Sequence, residues 1–279
     1  MPKERISILG CGWLGLPLAR KLIGEGYLVK GSTTRSEKLD ALRAAGIEPF
    51  RIVLGDQAEG DLKGFLDSDI LIVDLPPGRG DDVVEQHIGQ ISQIIDALID
   101  APVKQVLFVS STSVYPALNR EVTEEDAMDP DAADSPVGQA LLFVEEMLRS
   151  ETAFRTTVVR FSGLIGYDRN PARYLLRMKE LADPEQPMNL IHRDDCIAIL
   201  TAIIEKGKWG EVFNASCEQH PKRREFYAIA AESQGVAMPP VAESAPTVPF
   251  RIVSSRKLID ALGYRFQHPD PLAVARKGE

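Results

Sequence analysis

The chain has 279 residues, 44% of them hydrophobic, and a formal net charge of −9 with no run of basic residues. That composition suits a folded protein with a substantial core, and it excludes a basic nucleic-acid surface and, for want of about 18 consecutive apolar residues, a membrane-spanning helix. Cys11, Cys196 and Cys217 are widely spaced and form no CxxC pair, which points to neither a disulfide framework nor a metal site.

The first apolar run, residues 6–9, reads as a strand and leads into Gly10-Cys11-Gly12-Trp13-Leu14-Gly15. This is a GxGxxG turn in the context it requires, with a strand before it and, over 13–24, a helix carrying Leu14, Leu18, Ala19 and Leu22 after it. Gly10 suits the tight turn, Gly12 a close approach of main chain to a pyrophosphate, and Gly15 close packing of helix on strand. The amides near Trp13 and Leu14 then face an anion at the positive end of the helix. Further strands are read at 27–31, 48–53, 70–73, 105–109 and 156–161, with helices at 37–45, 83–99 and 137–151 between most of them. The alternation predicts an α/β fold, a Rossmann-like doubly wound parallel sheet covered on both faces.

Beyond residue 161 prolines break the chain into short pieces, so a small carboxy-terminal lobe is expected over 163–279, after a dinucleotide-binding domain over 1–162. A helix at 196–204, capped by Asp194 or Asp195, is expected to return to the first domain within 193–206. A strand at 210–215 and a helix at 222–234 follow, and 239–249 is the most linker-like piece. The opening residues lead directly into the first strand, with no signal-peptide core, and the expected location is cytoplasmic.

The second strand ends in Gly31-Ser32-Thr33-Thr34-Arg35-Ser36, without the carboxylate that commonly holds an adenosine 2′-hydroxyl about 20 residues past the glycines. Arg35, with Thr34 and Ser36 as further donors, suits a 2′-phosphate, so NADP is favoured over NAD. The alternative makes Thr34 or Ser36 a helix cap and Arg35 a solvated side chain.

Beyond the glycine turn, the stretches Leu54-Gly55-Asp56, Val109-Ser110-Ser111-Thr112-Ser113-Val114-Tyr115-Pro116, Arg160-Phe161-Ser162-Gly163-Leu164-Ile165-Gly166 and Asn189-Leu190-Ile191-His192-Arg193-Asp194-Asp195 resemble an extended short-chain dehydrogenase/reductase of the NAD-dependent epimerase/dehydratase type. The resemblance covers nearly the whole chain. It implies a cofactor in the sheet's crevice and a small-molecule substrate, a nucleotide sugar among the candidates, under the smaller lobe. By position, Asp56 approaches the adenine, Leu75, Pro76 and Pro77 run beside the ribose and pyrophosphate, and Ser110 borders the cofactor. Ser111 matches the family's catalytic hydroxyl, which can hydrogen-bond a substrate oxygen; its other reading is to tie down a strand end. Tyr167, Arg169, Asn170 and Arg173 fall on the substrate loop, where Arg169 suits a substrate phosphate or carboxylate; plain solvated loop residues are the equal alternative.

The family's Tyr-x-x-x-Lys pair, which transfers the proton, is missing. No tyrosine is followed four residues on by lysine, and aligning Glu145 with the family's helical glutamate puts Val137 and Leu141 at the two positions. The chain therefore resembles an atypical member. Tyr115, Tyr167 and His192 are the substitutes in view, each with a structural alternative: an aromatic packed under a loop, or a histidine beside a helix start. His192 is also placed at the substrate. The expected activity is an NADP-dependent oxidoreductase or epimerase-like reaction on a small molecule, and the alternative is a non-catalytic NADP(H)-binding sensor or structural protein. Pairing of the helices at 83–99 and 137–151 offers a homodimer.

Overall fold

The computed structural model describes residues 3–78, 80–169, 172–243 and 248–278. Its centre is a seven-stranded, wholly parallel sheet built from β1 (Arg5–Leu9), β2 (Leu28–Thr33), β3 (Glu48–Arg51), β4 (Ile70–Val73), β5 (Gln105–Ser111), β6 (Arg155–Phe161) and β7 (Val212–Ala215), in the spatial order β7-β6-β5-β4-β1-β2-β3. The four residues of β4 are all buried, as an apolar run must be when both faces of a parallel strand are covered. Pro49 lies on β3 at the sheet edge, where a missing ladder donor is tolerated.

Helices α1 (Gly15–Gly24) and α2 (Leu39–Ala44) cover one face, together with α5 (Arg193–Lys206) and α7 (Arg256–Leu262); Leu18, Leu22, Leu42, Ile199, Ile203 and Leu258 share one core there. On the other face lie α3 (Val83–Ile99) and α4 (Pro136–Ser150), whose Ile91, Ile94, Leu98, Leu141, Val144 and Leu148 recur at helical spacing and meet Val106 and Phe108 of β5. A third, smaller core joins Phe226 and Ala230 of α6 (Arg223–Gln234) to Val274 of α8 (Pro271–Lys277), Ile165 and Leu190. Each fully buried aliphatic side chain contributes roughly 1.5–3 kcal/mol, so three clusters of this kind hold the layers together without any covalent link. All three cysteines are free and buried.

Two local expectations are corrected. The helix after the glycine turn begins at Gly15 rather than Trp13, because Gly10 to Leu14 are needed for the turn itself. Neither Asp194 nor Asp195 caps α5. Its N-cap is His192, whose Nδ1 accepts the Asp194 N–H at 3.2 Å. Asp195 instead turns inward and accepts the Tyr264 O–H at 2.7 Å, the Gln267 N–H at 2.7 Å and the His268 N–H at 3.0 Å, tying α5 to the chain that follows α7. The strand expected at 210–215 forms as β7 and joins the main sheet beside β6, so the carboxy-terminal half returns to the first layer more than once.

Candidate functional site

A cavity of about 790 Å³ opens at the carboxyl ends of the strands. Its walls come in short groups that end or follow β1, β2, β4, β5 and β6: residues 10–14, 32–35, 74–78, 109–111 with 113, and 161–164. From β1 the chain runs outward to β2 and β3, then crosses back to β4 on the opposite side, which makes this crevice the switch point where open α/β sheets bind ligands.

The glycine turn forms one wall. Gly10 has φ +106°, and a Cβ there would lie 2.3 Å from the Asp74 carbonyl oxygen; a Cβ on Gly15 would lie 2.2 Å from the Gly10 carbonyl oxygen. Packing alone demands these two glycines. Gly12 is different, since a Cβ there would meet no protein atom within 4 Å. Its surroundings are open cavity, so the protein's own packing does not require glycine at this position. Above the turn the Trp13 indole donates to Asp168 Oδ1 at 2.6 Å and is flanked by two guanidinium groups, Arg169 at 4.2 Å and Arg193 at 4.9 Å from the ring centroid. Arg169 is thus on the cavity wall, but at the glycine turn. Arg169, expected at the substrate, instead stacks on Trp13.

Asp74, for which the sequence offers only a carboxylate after an apolar strand, lines the cavity just past β4. Its carboxylate receives the Gly15 N–H, one of the donors left open at the start of α1. Burial pushes this carboxyl up to about 7, against the opposing influence of that N–H and of the Arg169 charge. At the far side of β1, Thr34, Arg35 and Lys38 line the cavity, and Ser32 donates structure there by accepting the Gly10 N–H at 3.0 Å. Ser36 starts a short 3₁₀ turn outside the lining, and Lys38 stands in its place.

At the β5 end the lining holds Ser110, Ser111 and Ser113, faced by Val137 and Leu141 of α4. The two positions at which the family resemblance requires tyrosine and lysine therefore do face the cavity, with side chains that cannot carry a proton. Ser110 donates to Glu145 Oε1 at 2.6 Å, and Glu145 is held in turn by Arg160, with an N–O distance of 2.6 Å between fully buried partners. Ser110 has its proton committed inward and offers lone pairs to the cavity. Ser113 and Ser162 have buried hydroxyls with no hydrogen-bond partner among the described residues.

Tyr115 does not serve the cavity. A 3₁₀ turn, Thr112–Val114, carries it below the sheet end, where its hydroxyl donates to Asn214 Oδ1 at 2.6 Å and accepts from Arg160 Nη1 at 2.8 Å. Burial pushes its phenol up to about 12, so the proton-donor reading is replaced by a structural one. His192 is also withdrawn: it is buried beneath Gly166, where any Cβ would lie 2.3 Å from its Nε2, and it stacks on His268 at 3.8 Å between ring centroids. Its Nδ1 is used as the α5 cap. His192, Asp194 and His268 bring ligand atoms within 4.8 Å of one another, and the His192 Nδ1 already accepts the Asp194 N–H. Tyr167 lies outside the lining, half-exposed, with its hydroxyl donating to Asp194 Oδ1 at 2.9 Å and its ring under Arg193. Asp56 is exposed in the turn between Val53–Leu54 and Ala58–Glu59, a small antiparallel pair that carries it off the wall. Asn170 and the Arg173 side chain fall outside the described residues.

The remaining predicted positions, Gly10, Gly12, Trp13, Leu14, Thr34, Arg35, Leu75, Pro76, Pro77, Ser110 and Ser111, are brought together on this one wall system, with Gly15 packed just beneath it. A parallel seven-stranded sheet covered on both faces, with its crevice at the switch point, defines a Rossmann-like protein.

Residues 6–216 match the model of the NAD dependent epimerase/dehydratase family, and the chain belongs to that family. Among curated proteins it is similar to protein YeeZ of Escherichia coli (strain K12), 29% identical over 97% of this chain and 98% of that protein. It is also similar to the low-salt glycan biosynthesis protein Agl12 of Haloferax volcanii, 23% identical over 74% of each. Among solved structures, the UDP-glucuronic acid 4-epimerase of Bacillus cereus, in complex with UDP-glucuronic acid and NAD, superposes with a TM-score of 0.81 at 19% identity, covering 98% of this chain and 97% of that one.

Proposed function

We propose that the cavity holds NADP(H) and that the protein is an oxidoreductase or epimerase-like enzyme acting on a small molecule. The observation that carries this reading is the pairing of an open Gly12 with Thr34, Arg35 and Lys38 at the end of β2, where cations and a hydroxyl replace the expected carboxylate. When bound, the nicotinamide supplies a hydride donor or acceptor. The chain's own part is to place it: amides of the glycine turn and Arg169 serve the diphosphate, Arg35 and Lys38 the 2′-phosphate, and Ser110 accepts a donor while Ser111 and Ser113 face the substrate side. NAD is held by the neighbour named above, and that likeness speaks for the fold alone.

Val137 and Leu141 favour a second reading, a protein that holds NADP(H) without turnover, as a sensor or structural element. One series of measurements tests both. Calorimetric titration is expected to give tighter binding of NADPH than of NADH, and Arg35→Ala to lower NADPH affinity at least tenfold with little change for NADH; equal losses for both would remove the 2′-phosphate assignment. Single-turnover oxidation of bound NADPH by a panel of aldehydes, ketones and nucleotide sugars separates the two readings, since tight binding without oxidation at any pH leaves only the second.

A further inference from the structure

A second cavity, of about 310 Å³, adjoins the first and shares Ser111, Ser113 and Gly163 with it. Its far wall is made by Arg251, Gln186 and Asn189. Arg251 is the one charged residue of that lining; no carboxylate faces it across the cavity. Its guanidinium forms no hydrogen bond or ion pair among the described residues, and the compensating charge felt there is that of Asp134. Burial lowers its pKa from the usual arginine value, yet an arginine keeps its proton at any working pH, so a cation sits half-buried and unpartnered.

The segment bearing it is held rigidly. Asn189 spans the strand with both ends of its amide, Nδ2 donating to the Arg251 carbonyl at 3.0 Å and Oδ1 accepting the Val253 N–H at 2.8 Å. Gln186 Nε2 donates to the Pro249 carbonyl at 2.8 Å, and Arg251–Val253 pairs in parallel with Arg120–Val122. A held, half-buried cation and the Ser111 hydroxyl in one lining describe a site for a ligand with an anionic group and an oxygen function.

We infer that this second cavity is the substrate site and that it takes a small acid, a hydroxy or oxo compound whose carboxylate or phosphate pairs with Arg251, rather than a nucleotide-linked sugar. The volume is at the lower end of the roughly 300–1,000 Å³ typical of small-molecule sites. A nucleoside diphosphate would bring two phosphates to one arginine. The assignment of this cavity to substrate rests on the proposal that the larger one holds NADP(H).

The test is binding to the full-length protein, with and without saturating NADPH, of gluconate and glucuronate as carboxylate probes, glucose 6-phosphate and inorganic phosphate as phosphate probes, and glucose and UDP-glucose as controls, read by calorimetry. At least one of the four anionic probes is expected to bind tenfold or more tighter than glucose, and the better class distinguishes carboxylate from phosphate. Arg251→Ala is expected to lose that binding at least tenfold while its NADPH affinity is unchanged; Arg251→Lys should restore part of it. Anionic probes binding no tighter than glucose, or UDP-glucose binding tighter than all four anionic probes and losing that binding tenfold in Arg251→Ala, would overturn the inference. Failure of NADPH itself to bind would refute the proposed function instead, and retained Arg251-dependent anion binding in the absence of NADPH would show that the second site stands apart from it.

Discussion

Replacing Asp74 by asparagine isolates the charge on the cavity floor from the hydrogen bond it makes. The carboxyl is pushed up to about 7 by burial, against an ordinary 3.8, with the Gly15 N–H and Arg169 pulling the other way; the Cys11 and Cys196 thiols, both buried, are the further titratable groups within its field. A raised acid binds its proton more tightly in the folded state. Its contribution to stability is therefore complete below the unfolded value near 4 and is lost as the pH rises through 7. The whole difference is worth up to about 4 kcal/mol. Asparagine keeps an acceptor for Gly15 and never ionises, so Asp74→Asn should match the unaltered protein at pH 4 and exceed it in stability at pH 8. For 279 residues the upper limit corresponds to a rise in Tm of about 7 °C. Thermal and urea unfolding at the two pH values measure it. The same charge should oppose a diphosphate, so NADPH affinity of the unaltered protein is expected to fall above pH 7 more steeply than that of Asp74→Asn, the cofactor's own 2′-phosphate titration being common to both. A variant stabilised equally at both pH values, or not at all, would refute the assignment of the raised carboxyl to burial of its charge.

The three glycines of the turn should separate cleanly: Gly12→Ala changes stability by no more than about 0.5 kcal/mol in urea unfolding but lowers NADPH affinity at least tenfold, whereas Gly10→Ala and Gly15→Ala, which drive a Cβ into backbone, each cost about 3 kcal/mol or more. Glu145→Ala strands the buried Arg160 guanidinium and removes the acceptor of Ser110, at a cost of about 3–5 kcal/mol read by the same method. Of the two tryptophans, Trp13 lines the cavity and Trp209 packs against the core, so NADPH should quench emission in the unaltered protein and lose most of that effect in Trp13→Phe.

What neighbours in sequence determine is legible in the amino-acid sequence itself. A strand, a glycine turn and a helix occupy consecutive residues, so Gly10, Gly12 and Gly15 are legible, and the four-residue spacing on α4 is enough to place Val137 and Leu141 on one face. A side chain whose direction depends on a distant partner is not legible in this way. Tyr115 stands just past the strand end that carries Ser110 and Ser111, but Arg160 and Asn214, 45 and 99 residues further on, draw its hydroxyl into the core. His192 is taken by Asp194 and by the space under Gly166. Arg169 is taken by Trp13, from the other end of the chain. Asp74 carried a weak local signal, a carboxylate at the end of a wholly apolar strand, and Arg251 none, because its strand is positioned through Asn189 and the pairing with Arg120–Val122. The glycine turn is built from neighbours in sequence and the second cavity is not: Gln186, Asn189 and Arg251 reach its lining from separate carboxy-terminal segments. Replacing Arg251, rather than any residue of the glycine turn, is accordingly the change that should alter which small molecule is accepted while leaving NADPH in place.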